Sequence, residues 1–363
     1  MLVRESMKRL SAWTAGALWV APLLLFAPLA AAAPPAAGAP AKPPTPTSEV
    51  AEAPPDDSGP RTLSGHTFVP MLQSSSPFVA TSFGFAQGFA FVNLPNLAIP
   101  GTDRTLDLSF AGLAETLQLA VALHERFGLV AAVNGTAISG VNGETVLFVG
   151  AQGETSGTLG ADAVLLRLPE TGTQVGAVVS GSLSVGRTAA PLNLIAALLN
   201  NPEQTVESIL DGELARLLIT EQTTYGGAVG LSVAQALGPH FGVQLATDAS
   251  LGWTNSRSFD GARDNDVRSY SVDLGLGGAL GGNAMPYVPV ALQAEYRLDL
   301  GIYADLDGEP DDAAEPRHTL AAGLYYTGRK ELLLGVQGAT ILQSDAQQRT
   351  EAFLGQLAMA YFF

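Results

Sequence analysis

The chain has 363 residues, a formal net charge of −16, 40 glycines and no cysteine, and only 14% of it is charged. Zero cysteine excludes disulfides, thiolate metal sites and a lipid-anchored cysteine behind a signal sequence. The acidic balance, with no basic stripe to neutralise phosphates, argues against nucleic acid. Low charge with much glycine and few long apolar runs is unusual for a soluble enzyme and expected of a membrane barrel, whose apolar outer face is diluted by small inward residues.

Residues 1–33 read as a secretory signal. Arg4, Lys8 and Arg9 form a positive start, Trp13 to Ala30 is apolar, and Ala31-Ala32-Ala33 offers small residues for cleavage. The alternative is an uncleaved membrane helix. Residues 34–60 are a linker in which Pro34-Pro35, Pro40, Pro43-Pro44, Pro46, Pro54-Pro55 and Pro60 alternate with Ala, Thr and Glu. Such a stretch builds no core and favours an extended chain. Residues 61–77 form a segment before the barrel, with His66 in it. No later segment has the ~20 uninterrupted apolar residues of a spanning helix.

From Phe78 to Phe363 the pattern has period two. In Val288 to Tyr303, Val288, Val290, Leu292, Ala294, Tyr296, Leu298, Leu300 and Ile302 share one face, while Gln293, Glu295, Arg297 and Asp299 share the other. A helix would scatter those charges, whereas a strand points them one way. The same alternation runs from Phe241 to Trp253 with Asp248 on the polar face. It recurs around Tyr270 to Leu276 with Asp273 opposite, and around Val175 to Val185 with Ser180, Ser182 and Ser184 opposite. Twelve spans follow: 78–92, 104–123, 127–136, 158–168, 174–187, 224–236, 241–255, 267–281, 287–303, 318–327, 331–342 and 350–363. Their connections alternate short and long, as in an up-and-down barrel with short periplasmic turns and long outer loops. The predicted fold is thus all-β: a transmembrane antiparallel up-and-down β-barrel of about twelve strands with short helical insertions in long loops.

Glu115 tests the second span. Counting ~9 residues from the turn at His124 places it near the outer rim, in water. Gln87 in the first span has no such explanation. Two long connections read as more than loops. Residues 191–220 carry helical spacing, with Asn201 as N-cap and Pro202 at the first helical position of a second helix. Asn142 to Gly153 is a short apolar stretch bounded by glycines, read either as a turn of helix in the lumen or as a further strand.

The last strand is the strongest single signal. Phe353, Gly355, Leu357, Met359, Tyr361 and Phe363 line one face, which turns aromatic where headgroups would lie. A chain ending in Tyr361-Phe362-Phe363 resembles the closing strand of bacterial outer-membrane β-barrels. In that family the strand is read by the insertion machinery, which assigns that role to Tyr361 and Phe363. The chain also resembles uncharacterised exported proteins of myxobacteria-like Gram-negative organisms, a likeness that implies no activity. The resemblance implies a cell outer-membrane protein in contact with lipid and lipopolysaccharide.

The inward set Asp248, Asp273, Gln293, Glu295, Arg297 and Asp299 is the candidate lumen lining. Charges there can tune ion selectivity and, being mostly acidic, would favour small cationic solutes. They can equally pair across strands and fill a narrow barrel. The segments 142–153 and 191–220 are expected to gate or narrow the lumen. Asp260, Asp264 and Asp266, and Asp305, Asp307, Glu309, Asp311 and Asp312, crowd two outer loops but match no metal-loop signature, and read as solvated acid. No nucleophile elbow or phosphate loop occurs, and of the histidines His66, His124, His240 and His318 only His318 could meet loop carboxylates. The sequence therefore calls for no metal, no cofactor and no enzyme. It points to a porin- or transporter-like channel, or alternatively to a closed barrel with a structural or surface-interaction role.

Overall fold

Every second residue is apolar or glycine along most of the twelve spans, with Gln87 and Glu115 as exceptions, so each span can pair with two neighbours while keeping an apolar side outward and small residues inward. The computed structural model describes residues 59 to 363 except 60, 99–104, 149, 190, 214–216, 260–263, 286, 306–314 and 345–348. The signal segment, nearly all of the linker, and Asp260, Asp307, Glu309, Asp311 and Asp312 lie outside the described residues.

A small hairpin, β1 (Thr62–Leu63) and β2 (His66–Thr67), precedes the barrel. Then come β3 (Ser82–Ala98), β4 (Thr105–His124), β5 (Phe127–Gly140), β6 (Ala151–Leu168), β7 (Thr173–Ala189) and β8 (Ile219–Ala236). The second half is β9 (Phe241–Phe259), β10 (Asp264–Asn283), β11 (Val290–Asp305), β12 (Glu315–Arg329), β13 (Leu332–Ser344) and β14 (Arg349–Phe362). These twelve pair antiparallel, each with its sequence neighbour, and β14 closes on β3 through pairs such as Leu357↔Gln87 and Tyr361↔Phe83. The barrel has no free edge. Each of the twelve predicted spans overlaps one strand, but β6 begins seven residues earlier than its span and β8 five earlier.

The outward positions are large and apolar: Leu245, Leu251, Leu274, Leu276, Leu292, Leu324, Val336 and Leu357 are all exposed. Tyr361, Phe363, Phe127 and Phe241 ring the short-turn end, and Tyr225 and Trp253 stand nearer the other. An apolar outer belt with aromatic residues toward its ends is the pattern of a membrane barrel. No helix among the described residues is long and apolar enough to cross a membrane.

Helices occur in two outer connections: α1 (Gly143–Phe148), α2 (Pro191–Asn200) and α3 (Pro202–Leu210). In 142–153 only the first part is helical, and Ala151 onward already belongs to β6. α1 folds over the inner face of the end of β5. There Gly140 leaves room, since an added Cβ would lie 2.7 Å from the Val146 nitrogen. Thr145 fixes it, accepting the Ser109 backbone N–H at 2.9 Å. α2 packs on α1 and α3. Asn201 and Pro202 take the expected cap and first-turn positions, although the Asn201 side chain makes no capping bond.

Glu115 points outward from mid-strand, between the exposed Leu113 and Leu117, and stands directly opposite Gln87.

Candidate functional site

The barrel's inner wall is built of small residues: Ala86, Ala114, Ala234, Ala246, Ala279, Ala321 and Ala339 are all buried. Twelve strands lined this way leave a wide interior. Residues 61–77, read from sequence only as a segment before the barrel, occupy it from the short-turn end together with Phe78, which was expected to open the first strand but lies ahead of β3. Leu63, Phe68 and Phe78 pack on Ala234 and Ala236. Val69 packs with Ala291, Tyr325, Leu333 and Phe362, Met71 on Ala246 and Ala279, and Leu72 on Ala86, Ala114, Ala321, Ala339 and Leu354. Wall glycines make the fit. A Cβ on Gly242 would lie 2.5 Å from the Phe68 ring, one on Gly176 2.7 Å from Pro77, and one on Gly277 2.5 Å from the Ser74 hydroxyl.

The polar clamps come from the predicted lining. The Glu295 carboxylate accepts the Leu72 and Gln73 backbone N–H groups at 2.6 and 2.9 Å. Arg297 donates to the Gln73 carbonyl at 2.8 Å and the Ser74 hydroxyl at 3.0 Å. The same guanidinium forks onto Asp248 at 2.7 and 2.9 Å and reaches Asp299 at 2.7 Å, and Arg317 approaches the other Asp299 oxygen at 3.2 Å. Gln174 donates to the Pro77 carbonyl and Gln244 to that of Val69, both at 2.7 Å. The inward charges therefore pair with each other and with the backbone of residues 72–74. Gln293 is inward and 4% exposed, with no hydrogen-bond partner for either amide atom. Asp273 stands on the neighbouring strand, two positions along from Gly275, which pairs with Asp299.

At the short-turn end, His66 sits edge-on to Phe68, its ring centroid 4.5 Å away, and its Nδ1 donates to the Pro239 carbonyl at 3.4 Å. Burial pushes the imidazole below the usual histidine range; the bond to Pro239 opposes this and the nearby His240 reinforces it. Arg61 lies over the Phe362 ring at 4.0 Å and donates to the Phe68 carbonyl, and burial lowers its pKa to about 10. His318 shares a hydrogen bond with the Tyr296 phenol at 2.9 Å on the outer wall, and His124 and His240 fall in the short turns, as their sequence positions imply.

The wall opposite the clamps differs. Thr158, Ser180, Ser182 and Ser184 face inward with partial exposure, whereas Gln293, Glu295 and Asp299 are each 4% exposed. Residues 72–74 are clamped from β11, and farther from the short turns than Gln174 and Gly176, which meet Pro77, a hydroxyl-bearing strip remains along β6 and β7. The sequence showed the serines alternating with valines. The inward alanines were the signal for the plug, because they cannot fill a barrel of this size.

No protein-family model matches the chain, and no curated protein matches it by sequence. Similarity is found at the level of structure. The COG4313 outer membrane channel from Pseudomonas putida F1 superposes with a TM-score of 0.52 at 15% identity, covering 82% of this chain and 100% of that one. The translocator domain of the autotransporter NalP from Neisseria meningitidis gives 0.46 at 10% identity over 78% and 89%. The Pseudomonas putida toluene transporter TodX gives 0.37 at 8% over 78% and 89%. At these identities the likeness is one of fold: the chain shares the closed β-barrel architecture of the COG4313 channel.

Proposed function

We propose that the protein is an outer-membrane channel for small polar solutes, closed from the periplasmic side by residues 61–78. The single observation behind this reading is the grip of Arg297 and Glu295 on the backbone of residues 72–74, opposite a strip of half-exposed hydroxyls. In this reading the segment leaves its seat, Arg297 stays on Asp248 and Asp299, and solutes pass along Ser180, Ser182 and Ser184. With the clamp vacated, the carboxylates of Asp248, Asp273, Glu295 and Asp299 outnumber Arg297 and Arg317 and favour cations. α1 folds over the outer mouth and narrows it. Residues 1–33 export the chain, and Tyr361 and Phe363 present the last strand to the insertion machinery.

The test is conductance after refolding into liposomes. The intact barrel is expected to open rarely, the barrel lacking residues 61–78 to give steady cation-selective currents, and a Ser182→Trp change in that shortened chain to reduce them. Silence from a folded, shortened barrel would refute the channel. The paired, filled lumen favours a second reading, a closed barrel with a structural or surface role, and that silence is the result it predicts.

A further inference from the structure

The outer wall carries a polar pair where lipid should touch it. Gln87 on β3 and Glu115 on β4 are register partners, both point outward, and the amide donates to the carboxyl at 2.8 Å. Asn93 and Ser109, hydrogen-bonded at 3.1 Å, mark the polar edge above them. Glu115 lies six residues deeper than Ser109, about 15 Å down a tilted strand. Its neighbours along the strand, Leu113 and Leu117, are 60% and 49% exposed. The outer wall's ion pairs among the described residues, Arg187–Glu221 and Arg257–Asp266, sit instead in the last few residues of their strands at the loop end.

The pair satisfies one amide hydrogen and one carboxyl oxygen. The second amide hydrogen, the amide oxygen and the second carboxyl oxygen face outward among the exposed Phe89, Leu113 and Leu117, and unmet polar groups are costly where lipid covers such a surface. A second feature adjoins them. Gly135, the register partner of Glu115 on β5, and Gly157 on β6 face outward, and a Cβ on either would meet nothing within 4 Å. Packing within the barrel does not call for glycine there. Their effect is to flatten the wall beside the polar pair, as small residues do where two membrane surfaces meet closely.

We propose that the outer wall of β3 to β6 is the contact between two copies of this chain in the membrane. The pair is self-complementary. A two-fold axis along the membrane normal beside β4 sets the Gln87 amide of each copy against the Glu115 carboxyl of the other, so one operation satisfies both sets of unmet groups. The opposite wall presents Leu251, Leu274 and Leu292, and its polar side chains bond within the wall: Thr247 to the Gly275 carbonyl, and Tyr296 with His318. The inference needs only the membrane placement of the barrel and is independent of whether the lumen opens.

The chain lacks cysteine, so single thiols report contacts directly. Gly135→Cys and Gly157→Cys on the proposed contact, and Leu274→Cys on the opposite wall, are oxidised in liposomes of the full chain after each is checked for a heat-modifiable, folded barrel. The two glycine positions should yield covalent dimers and Leu274→Cys should not. Adding Gln87→Leu and Glu115→Leu should cut the dimer yield about tenfold, the effect of losing two membrane hydrogen bonds. Glu115→Gln, which still pairs with an amide, should retain most of it. Equal cross-linking on both walls, no dimer from either glycine position, or a yield unmoved by the double leucine change would each overturn the proposal.

Discussion

Replacing Arg297 with methionine isolates the clamp. The methionine keeps much of the stem's packing but removes the guanidinium that serves Asp248, Asp299, Gln73 and Ser74 together. Asp299 keeps Arg317, whereas Asp248 loses the only cation shown to bind it. The bonds to Asp248 and Asp299 are kept when the segment leaves, so their loss weakens the wall in both states. The seat itself loses the two charge-assisted bonds from Arg297 to the Gln73 carbonyl and the Ser74 hydroxyl. A hydrogen bond to a charged group contributes about 1.5–3 kcal/mol. Taken at the low end, the two come to about 3 kcal/mol, roughly a hundredfold in an equilibrium. Hydrogen exchange of the refolded protein should show residues 70–76 exchanging about a hundredfold faster, with the barrel strands unchanged. Channel openings should become more frequent in parallel. Unchanged exchange at Gln73 and Ser74 in an intact barrel would refute the claim that Arg297 holds the segment.

Three further outcomes follow from the geometry. Gly242→Leu places side-chain atoms where Phe68 and His66 now pack, and overpacking of about 1–3 kcal/mol should unseat the hairpin, read as faster thiol labelling of a Thr67→Cys probe. His66 is held neutral by burial, so its seat is strongest above the ordinary histidine pKa of about 6.5 and weakens as pH falls through that value. Protease cleavage within 61–78 should therefore rise on acidification, and His66→Gln should flatten the profile; a flat wild-type profile would exclude His66 as the cause. Tyr361 and Phe363 are outward and exposed, 42% and 73%, so changing both to Ala should lower the assembled yield in cells while leaving refolding in liposomes nearly unaltered.

The strands were legible because period two survives wherever one face meets lipid. It fades where the strands rise above the belt. The first seven residues of β6, Ala151 to Gly157, contain no large apolar residue, and their strand structure comes from pairing with β5 and β7. The direction of Glu295, Arg297 and Asp299 could also be read, since alternation fixes a face. Their partners could not. Glu295 and Arg297 bind backbone groups of residues 72–74, and those groups carry no sequence signature. Residues 61–78 have no periodicity because they match the lumen by shape, against alanines and glycines scattered over ten strands.

The seat itself argues for a removable plug. Its apolar contacts are with alanine methyls and a few larger side chains, and its polar ones gather in the Glu295–Arg297 clamp and scattered glutamine-to-carbonyl bonds. Gln293 is buried, with neither amide atom bonded to another protein group. Removing the segment breaks none of the twelve strand pairings, since β3 starts at Ser82, beyond the plug. The closed state thus rests on side-chain contacts separate from the strand ladder, and changes at Arg297, Gly242 or His66 are expected to weaken it without unfolding the barrel.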